Sequence, residues 1–187
     1  MKRLFDFTLA FIMLACFFPM MLIISVLIKL SSRGQIIFWS KRVGKNEKFF
    51  MMPKFRSMKI GTPQLATHLL GNNESNYLTA LGSVLRRYSV DELPQLFSVI
   101  KGDMSIVGPR PALFNQYDLI KLRRKFGVND IKPGITGWAQ INGRDSISIH
   151  KKVILDVEYI KRRSIFFDIK IILKTISKVF SKKDISH

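Results

Sequence analysis

The segment "FTLAFIMLACFFPMMLIISVLI", Phe7–Ile28, contains no charged residue and constrains this chain more than any other feature. A helix needs about 20 apolar residues to cross the hydrocarbon of a bilayer, so the run is long enough. It does not read as a cleaved leader, because "LSSRGQ" after it offers no small-x-small site. Pro19 stands inside the run, where a proline removes a backbone donor and kinks or breaks a helix. Both flanks are basic: Lys2 and Arg3 before it, Lys29 and Arg33 after it. A simple span gathers its Lys and Arg on one side. Two basic flanks suit a helix-break-helix that dips into the bilayer and returns to the same face, with the break satisfied by protein or headgroup partners. The residues alone leave a single span and a re-entrant helix equally open.

The charge balance narrows the partners. The chain has 31 Lys+Arg against 13 Asp+Glu, a formal net charge of +18, so it prefers something anionic. It is also 47% hydrophobic and holds 15 Phe. That apolar load, with no nucleic-acid motif, argues against nucleic acid and for anionic membrane lipid. The length of 187 residues fits one domain with an appendage: residues 1–30 as the membrane element, 31–187 as the rest. Cys16 is the single cysteine, so no internal disulfide forms. His68, His150 and His187 lack the spacing of a metal site.

Past the membrane segment the pattern predicts an α+β domain, mainly helical, with a small β-hairpin. Strands are expected near Ile36–Trp39 and Phe49–Met52, joined near "GKNEK". Residues 61–76 are polar and turn-rich and read as a loop. Helices are expected over 78–89, over "ELPQLFSVIKG" with Leu93, Leu96, Phe97 and Ile100 on one face and Gly102 as its end, and over 112–126, 151–163 and 164–182. In the last of these, Ile165, Ile169, Ile172, Ile176 and Val179 form an apolar stripe beside Lys170, Lys174, Lys178 and Lys182. Such a helix either lies in an anionic interface or packs on the domain with its lysines in water.

"RRYSVDELPQL", Arg86–Leu96, sets two adjacent carboxylates in this basic chain. Pro94 belongs in a first helical turn, so a helix starts near Asp91. Asp91 then serves as an N-cap, and "Ser89-x-x-Glu92" fits a capping box. The same place suits chemistry. A helix N-terminus attracts phosphate, and Arg86 and Arg87 offer planar forks to it. A carboxylate set among arginines can attack a phosphoryl group and form an acyl phosphate. A divalent cation, Mg²⁺ by its chemistry, would screen the two anions.

"KFRSM" (54–58), "RRYSVDELPQLFSVIKGDMSIVGPRP" (86–111) and "KPGITGWAQINGR" (132–144) resemble, in order and in wording, the bacterial sugar transferase family. This is the monotopic polyprenol-phosphate phosphoglycosyl transferase family, and the short chain is similar to its minimal, N-glycan-initiating members. The resemblance implies transfer of sugar-1-phosphate from a UDP-sugar, an acetamido sugar by analogy with those members, to undecaprenyl phosphate with release of UMP. It implies a ping-pong mechanism with Asp91 as nucleophile, Glu92 as its dyad partner and Mg²⁺ as cofactor. It assigns Arg86, Arg110, Arg144, Lys54 and Arg56 to substrate, and Asp156 beside Asp91 and Glu92 to the metal. It makes Pro19 the break of a re-entrant helix, which puts the protein on the cytoplasmic face of the bacterial inner membrane. A homodimer stays open. The competing reading is a non-catalytic basic scaffold that recruits glycan-assembly enzymes to the membrane, in which Asp91 is only a cap.

Overall fold

A computed structural model describes residues 1–63, 74–143 and 147–180 of the chain. The described residues are mainly helical. A long N-terminal helix α1 (Lys2–Ser31) precedes a hairpin of β1 (Ile37–Val43) and β2 (Phe49–Phe55). Short helices α2 (Glu74–Tyr77), α3 (Ala80–Arg87) and α4 (Gln95–Lys101) follow, then β3 (Ser105–Val107) and α5 (Tyr117–Lys125). The chain continues with β4 (Gly134–Thr136), α6 (Trp138–Ile141), α7 (Ile149–Arg162) and α8 (Ile165–Phe180).

Helical backbone runs through Pro19, so the expected helix-break-helix is one helix with a proline inside it. A single proline costs one backbone bond and a bend, which a long apolar helix tolerates. Asp6, Ala10, Leu14, Met21, Ile24 and Ile28 are buried, at spacings that keep them on one face. The rest of α1 exposes Phe11, Phe18, Leu22, Ile23, Val26 and Leu30. It is the one helix among the described residues long and apolar enough to cross a membrane.

Both ends of α1 are tied to the domain. Near the start, Lys2 Nζ pairs with Asp168 at 2.6 Å, and Asp6 accepts from Ser105 Oγ at 2.8 Å and Ile106 N at 3.2 Å. Arg3 donates to the carbonyls of Val99 and Ile100 at the end of α4. At the other end the Arg56 guanidinium donates to Ser32 O at 2.9 Å, Ser32 Oγ at 2.7 Å and Arg33 O at 2.8 Å. Arg56 thus satisfies carbonyls that a helix C-terminus leaves without donors. Gly34 makes room for it, since a Cβ there would lie 2.1 Å from Arg56 Nη1.

The hairpin is antiparallel, with Ile37 opposite Phe55 and Val43 opposite Phe49. Both of its strands run further than the sequence pattern suggests. Each strand is an edge, which accommodates Pro53 in β2. Asn46 and Glu47 take left-handed backbone at the turn. β3 and β4 form a short parallel pair that joins "SIVGPRP" to "KPGITG". Gly108 and Gly134 permit this crossing: a Cβ on Gly134 would meet Gly108 N at 2.1 Å.

The main core packs α1 against Phe55, Leu85, Leu96, Val99, Ile106, Tyr159 and Ile171. Each such side chain contributes about 1.5–3 kcal/mol through burial. A second cluster of Val43, Ala112, Leu119, Ile120, Val128 and Val153 seats α5 and α7 on the end of the hairpin. Two helices bury a different face from the one expected. α4 buries Gln95, Leu96, Ser98 and Val99 and leaves Phe97 half exposed. Ser98 O accepts from the backbone of Gly102, Asp103 and Met104, which closes the helix end ahead of β3. α8 buries Phe167, Asp168 and Ile171, because Asp168 is held by Lys2 and the Tyr159 hydroxyl. Its expected apolar stripe therefore stays open at Ile169 and Ile176.

Candidate active site

Asp91 and Glu92 do not begin a helix. They lie on a 3₁₀ turn, Val90–Glu92, and α4 starts only at Gln95, after Pro94. The capping box is absent: Ser89 makes no side-chain cap bond and sits in left-handed backbone at φ 55°, ψ 21°. A non-glycine residue there is strained by about 1–2 kcal/mol, and such strain collects at functional sites. The reversal it creates, with Ser89 N on Arg86 O at 3.0 Å and Glu92 N on Ser89 O at 3.2 Å, folds the carboxylates back toward the end of α3. α3 itself is set against the segment that follows β2 through Gly82, where a Cβ would meet Ser57 O at 1.9 Å.

The hairpin and the "GPRP" loop then close on the dyad. Lys54 Nζ from β2 donates to Glu92 Oε1 at 2.7 Å, and Arg110 Nη2 donates to the same oxygen at 3.0 Å. Glu92 is thereby fixed. Asp91 enters neither of these pairs, although it is buried, and Lys54, Arg86 and Arg110 act on it electrostatically. Burial pushes its carboxyl above the usual aspartate range; Lys54 opposes this, Glu92 adds to it, and Arg86 and Arg110 oppose it. Burial also pulls the Lys54 ammonium down, against the attraction of Glu92.

A cavity of about 430 Å³ ends on this group. Asp91, Lys54, Arg86, Arg110, Arg42 and Arg56 line it, together with the apolar Ile37, Phe38, Met58 and Ile60. An anionic substrate with an apolar or sugar portion matches that mixed lining.

Of the expected site residues, the fold brings together Asp91, Glu92, Lys54, Arg86 and Arg110. Arg56 also lines the cavity, but its guanidinium is engaged on the end of α1. Arg144 lies outside the described residues. Asp156, expected as a metal ligand, is not brought to the dyad. It is 1% exposed, and one of its oxygens accepts two bonds from Arg123, at 3.0 Å from Nε and 2.7 Å from Nη2. Arg42 is a site residue that sequence reasoning missed. It lines the cavity while donating to Ser40 Oγ at 3.0 Å and Pro111 O at 3.1 Å, and "SKRVGK" offers no signal for it.

Among the described residues no group of three or more His, Cys, Asp or Glu gathers to hold a metal. Asp91 and Glu92 still fit a cation that takes one or two carboxylates and completes its shell with water and phosphate, as Mg²⁺ does. Trp138 serves packing and charge: its Nε1 donates to Glu158 at 2.8 Å, its ring lies 5.1 Å from Phe167, and Arg162 and Lys174 sit over its face.

Comparison with known proteins agrees with this geometry. The chain is 43% identical over 195 residues to the UDP-glucose:undecaprenyl-phosphate glucose-1-phosphate transferase of Escherichia coli K12, covering 98% of this chain and 41% of that protein. It is 40% identical over 187 residues to the uncharacterized sugar transferase EpsL of Bacillus subtilis 168, covering 100% of this chain and 91% of that protein. It is 37% identical over 185 residues to the UDP-N-acetylgalactosamine-undecaprenyl-phosphate N-acetylgalactosaminephosphotransferase of Aeromonas hydrophila, covering 96% of this chain and 44% of that protein. The chain thus spans less than half the length of the two relatives with a named substrate. A model of the bacterial sugar transferase family matches residues 1–182, and the chain belongs to that family.

Proposed function

We propose that this chain transfers a sugar-1-phosphate from a UDP-sugar to undecaprenyl phosphate by a two-step exchange at Asp91. One observation carries the reading: Asp91 lies at the end of a cavity, outside the pairs that hold Glu92, with Lys54, Arg86 and Arg110 around it. Buried carboxylates are usually paired, so one kept apart among cations suits a nucleophile whose cations receive phosphate oxygens.

In the first step an Asp91 oxygen attacks the β-phosphorus of the UDP-sugar. The new O–P bond forms as the bond from that phosphorus to the bridging oxygen breaks, and UMP leaves with the electron pair. Arg86, Arg110 and Arg42 offer N–H donors to the phosphate oxygens as their charge redistributes. In the second step an oxygen of undecaprenyl phosphate attacks the same phosphorus. The bond to Asp91 breaks, the carboxylate is restored, and undecaprenyl-diphosphate-sugar leaves. Lys54 and Arg110 hold Glu92 beside this exchange, where it balances their charge. Asp91 and Glu92 would hold Mg²⁺, which supplies screening between carboxylate and phosphate.

The reading of the membrane placement rests on α1. One domain holds both ends, through Lys2 and Asp6 at the start and Ser32 and Arg33 at the finish. That supports a monotopic element that enters the bilayer without crossing it, with both ends on the cytoplasmic face. The exposed Phe166, Ile169, Leu173 and Ile176 of α8, beside Lys170 and Lys174, supply a surface for anionic inner-membrane lipid. Cysteines placed ahead of Lys2 and at Arg33, in a Cys16→Ala background, should label from the same membrane face; opposite faces would refute this topology.

The activity test is UMP release with undecaprenyl phosphate over UDP-glucose, UDP-N-acetylgalactosamine and a UDP-diacetamido sugar. Turnover is expected with one of the acetamido donors and is lost in EDTA and restored by Mg²⁺. Membrane binding with no UMP from any donor supports the scaffold reading instead.

A further inference from the structure

We propose that Asp156 and Arg123 are a positioning pair that fixes Arg110 against Glu92. This rests on the transferase reading above. Arg123 is buried and lies on α5, Asp156 on α7, and neither lines the cavity. If the pair only neutralised itself, the Arg123 fork would end on Asp156. It does not: Nε and Nη2 take Asp156 Oδ2, and Nη1 reaches past it to the backbone carbonyl of Arg110 at 2.8 Å.

The surroundings show why that bond matters. Arg110 stands between Pro109 and Pro111, whose rings fix their own φ and contribute no N–H. The loop cannot hold its shape with its own ladder, so its carbonyls are held from outside. Pro109 O accepts from Gly134 N at 2.9 Å, Arg110 O from Arg123, Pro111 O from Arg42 at 3.1 Å, and Ala112 O from Val43 N at 3.0 Å. Four successive carbonyls thus have donors from β4, α5 and β1. Because φ of Pro111 is locked, the Arg110 carbonyl direction is set by ψ of Arg110 alone. Arg123 therefore fixes the backbone torsion on the carbonyl side of the Arg110 side chain, and Asp156 fixes Arg123. A guanidinium held in this way meets a phosphate without ordering cost at the moment of reaction.

The test uses the full chain in lipid nanodiscs and reads single-turnover UMP release over hours, so that slow variants stay measurable. Arg123→Met with Asp156→Leu replaces the buried pair by apolar groups of similar size, a change that cores accept. It should slow release about tenfold or more when Arg110 is present, as small misplacements do. In an Arg110→Ala background the same change should slow release less than about twofold, because nothing remains to position. Equal losses in both backgrounds, or no loss in either, would overturn the proposal. If the double variant does not fold, Arg123→Lys keeps the charge beside Asp156 but cannot also reach the Arg110 carbonyl. It should show the same dependence on Arg110. Wild type without UMP release would sink the transferase reading; active wild type with an indifferent pair would sink only this one.

Discussion

Asp156 and Asp91 are two of the buried aspartates among the described residues, and they differ in what surrounds them. Asp156 is sealed in the domain with a guanidinium across it. Asp91 is also buried, yet it opens on a cavity and stands outside the pairs that tie down its neighbour Glu92. Burial pushes both carboxyls above the usual range, against arginines and lysines that pull them down. The difference is in what the cations are attached to. At Asp156 the cation is committed, so the charge serves shape. At Asp91 the cations are shared with a neighbour and face a space where a second anion fits.

That contrast predicts opposite responses when a charge is removed. Asp91→Asn should lower kcat by about 10³-fold or more, the loss expected when a nucleophile is removed, and leave the protein folded. It should even raise stability at neutral pH. A carboxyl whose folded pKa is raised favours the folded state below its unfolded value, near 3.9, and that favour is lost as pH rises through the raised value. The melting-temperature gap between Asp91→Asn and wild type should therefore open above about pH 4 and level off once Asp91 is ionised. A gap of the reverse sign would show that Asp91 is itself a paired, structural charge.

Removing the cation of the other pair should do the converse. Arg123→Met leaves Asp156 buried without the guanidinium that opposes its raised carboxyl and should cost about 3 kcal/mol, read by denaturant unfolding in detergent. Its effect on kcat, about tenfold through Arg110, is far below that of Asp91→Asn. Lys54→Met sharpens the comparison at Asp91. Removing the cation that most opposes the rise of the Asp91 carboxyl should move the acid limb of kcat/KM to higher pH. An unmoved limb would mean that another group sets it. At the small end, Arg124→Ala removes an exposed pair with Glu47 and should change neither melting temperature nor kcat beyond error.

The parts of this picture that could be read in the sequence are the local ones. Alternation and turn residues located the hairpin, and helical periodicity located α7 and α8. Gly102, in left-handed backbone, ends α4 as expected. The grouping of Asp91 and Glu92 with Lys54, Arg86 and Arg110 was legible only through the motifs that carry the family resemblance, since Lys54 and Glu92 lie further apart in the chain than Arg123 and Asp156. What stayed hidden depends on contacts far apart in sequence. Asp91 read as a helix cap because Pro94 implied an early start. The strained turn at Ser89, which follows α3, instead delays α4 to Gln95. Asp156 read as a metal ligand because its partner Arg123 lies on another helix. Arg42 was invisible because Pro111, which orients it, belongs to a different motif. Arg56 read as a substrate residue because nothing in "KFRSM" reveals that the end of α1 arrives beside it.

The central claim is that Asp91 carries the sugar phosphate between donor and acceptor. It is tested most directly by intact-protein and peptide mass spectrometry after incubation with the active UDP-sugar and no acceptor. The account predicts a sugar-phosphate mass gain on the peptide holding Asp91, matched by one UMP per enzyme, discharged by undecaprenyl phosphate and absent from Asp91→Asn. Turnover by wild type with no adduct at any time, or turnover by Asp91→Asn at the wild-type rate, would contradict it.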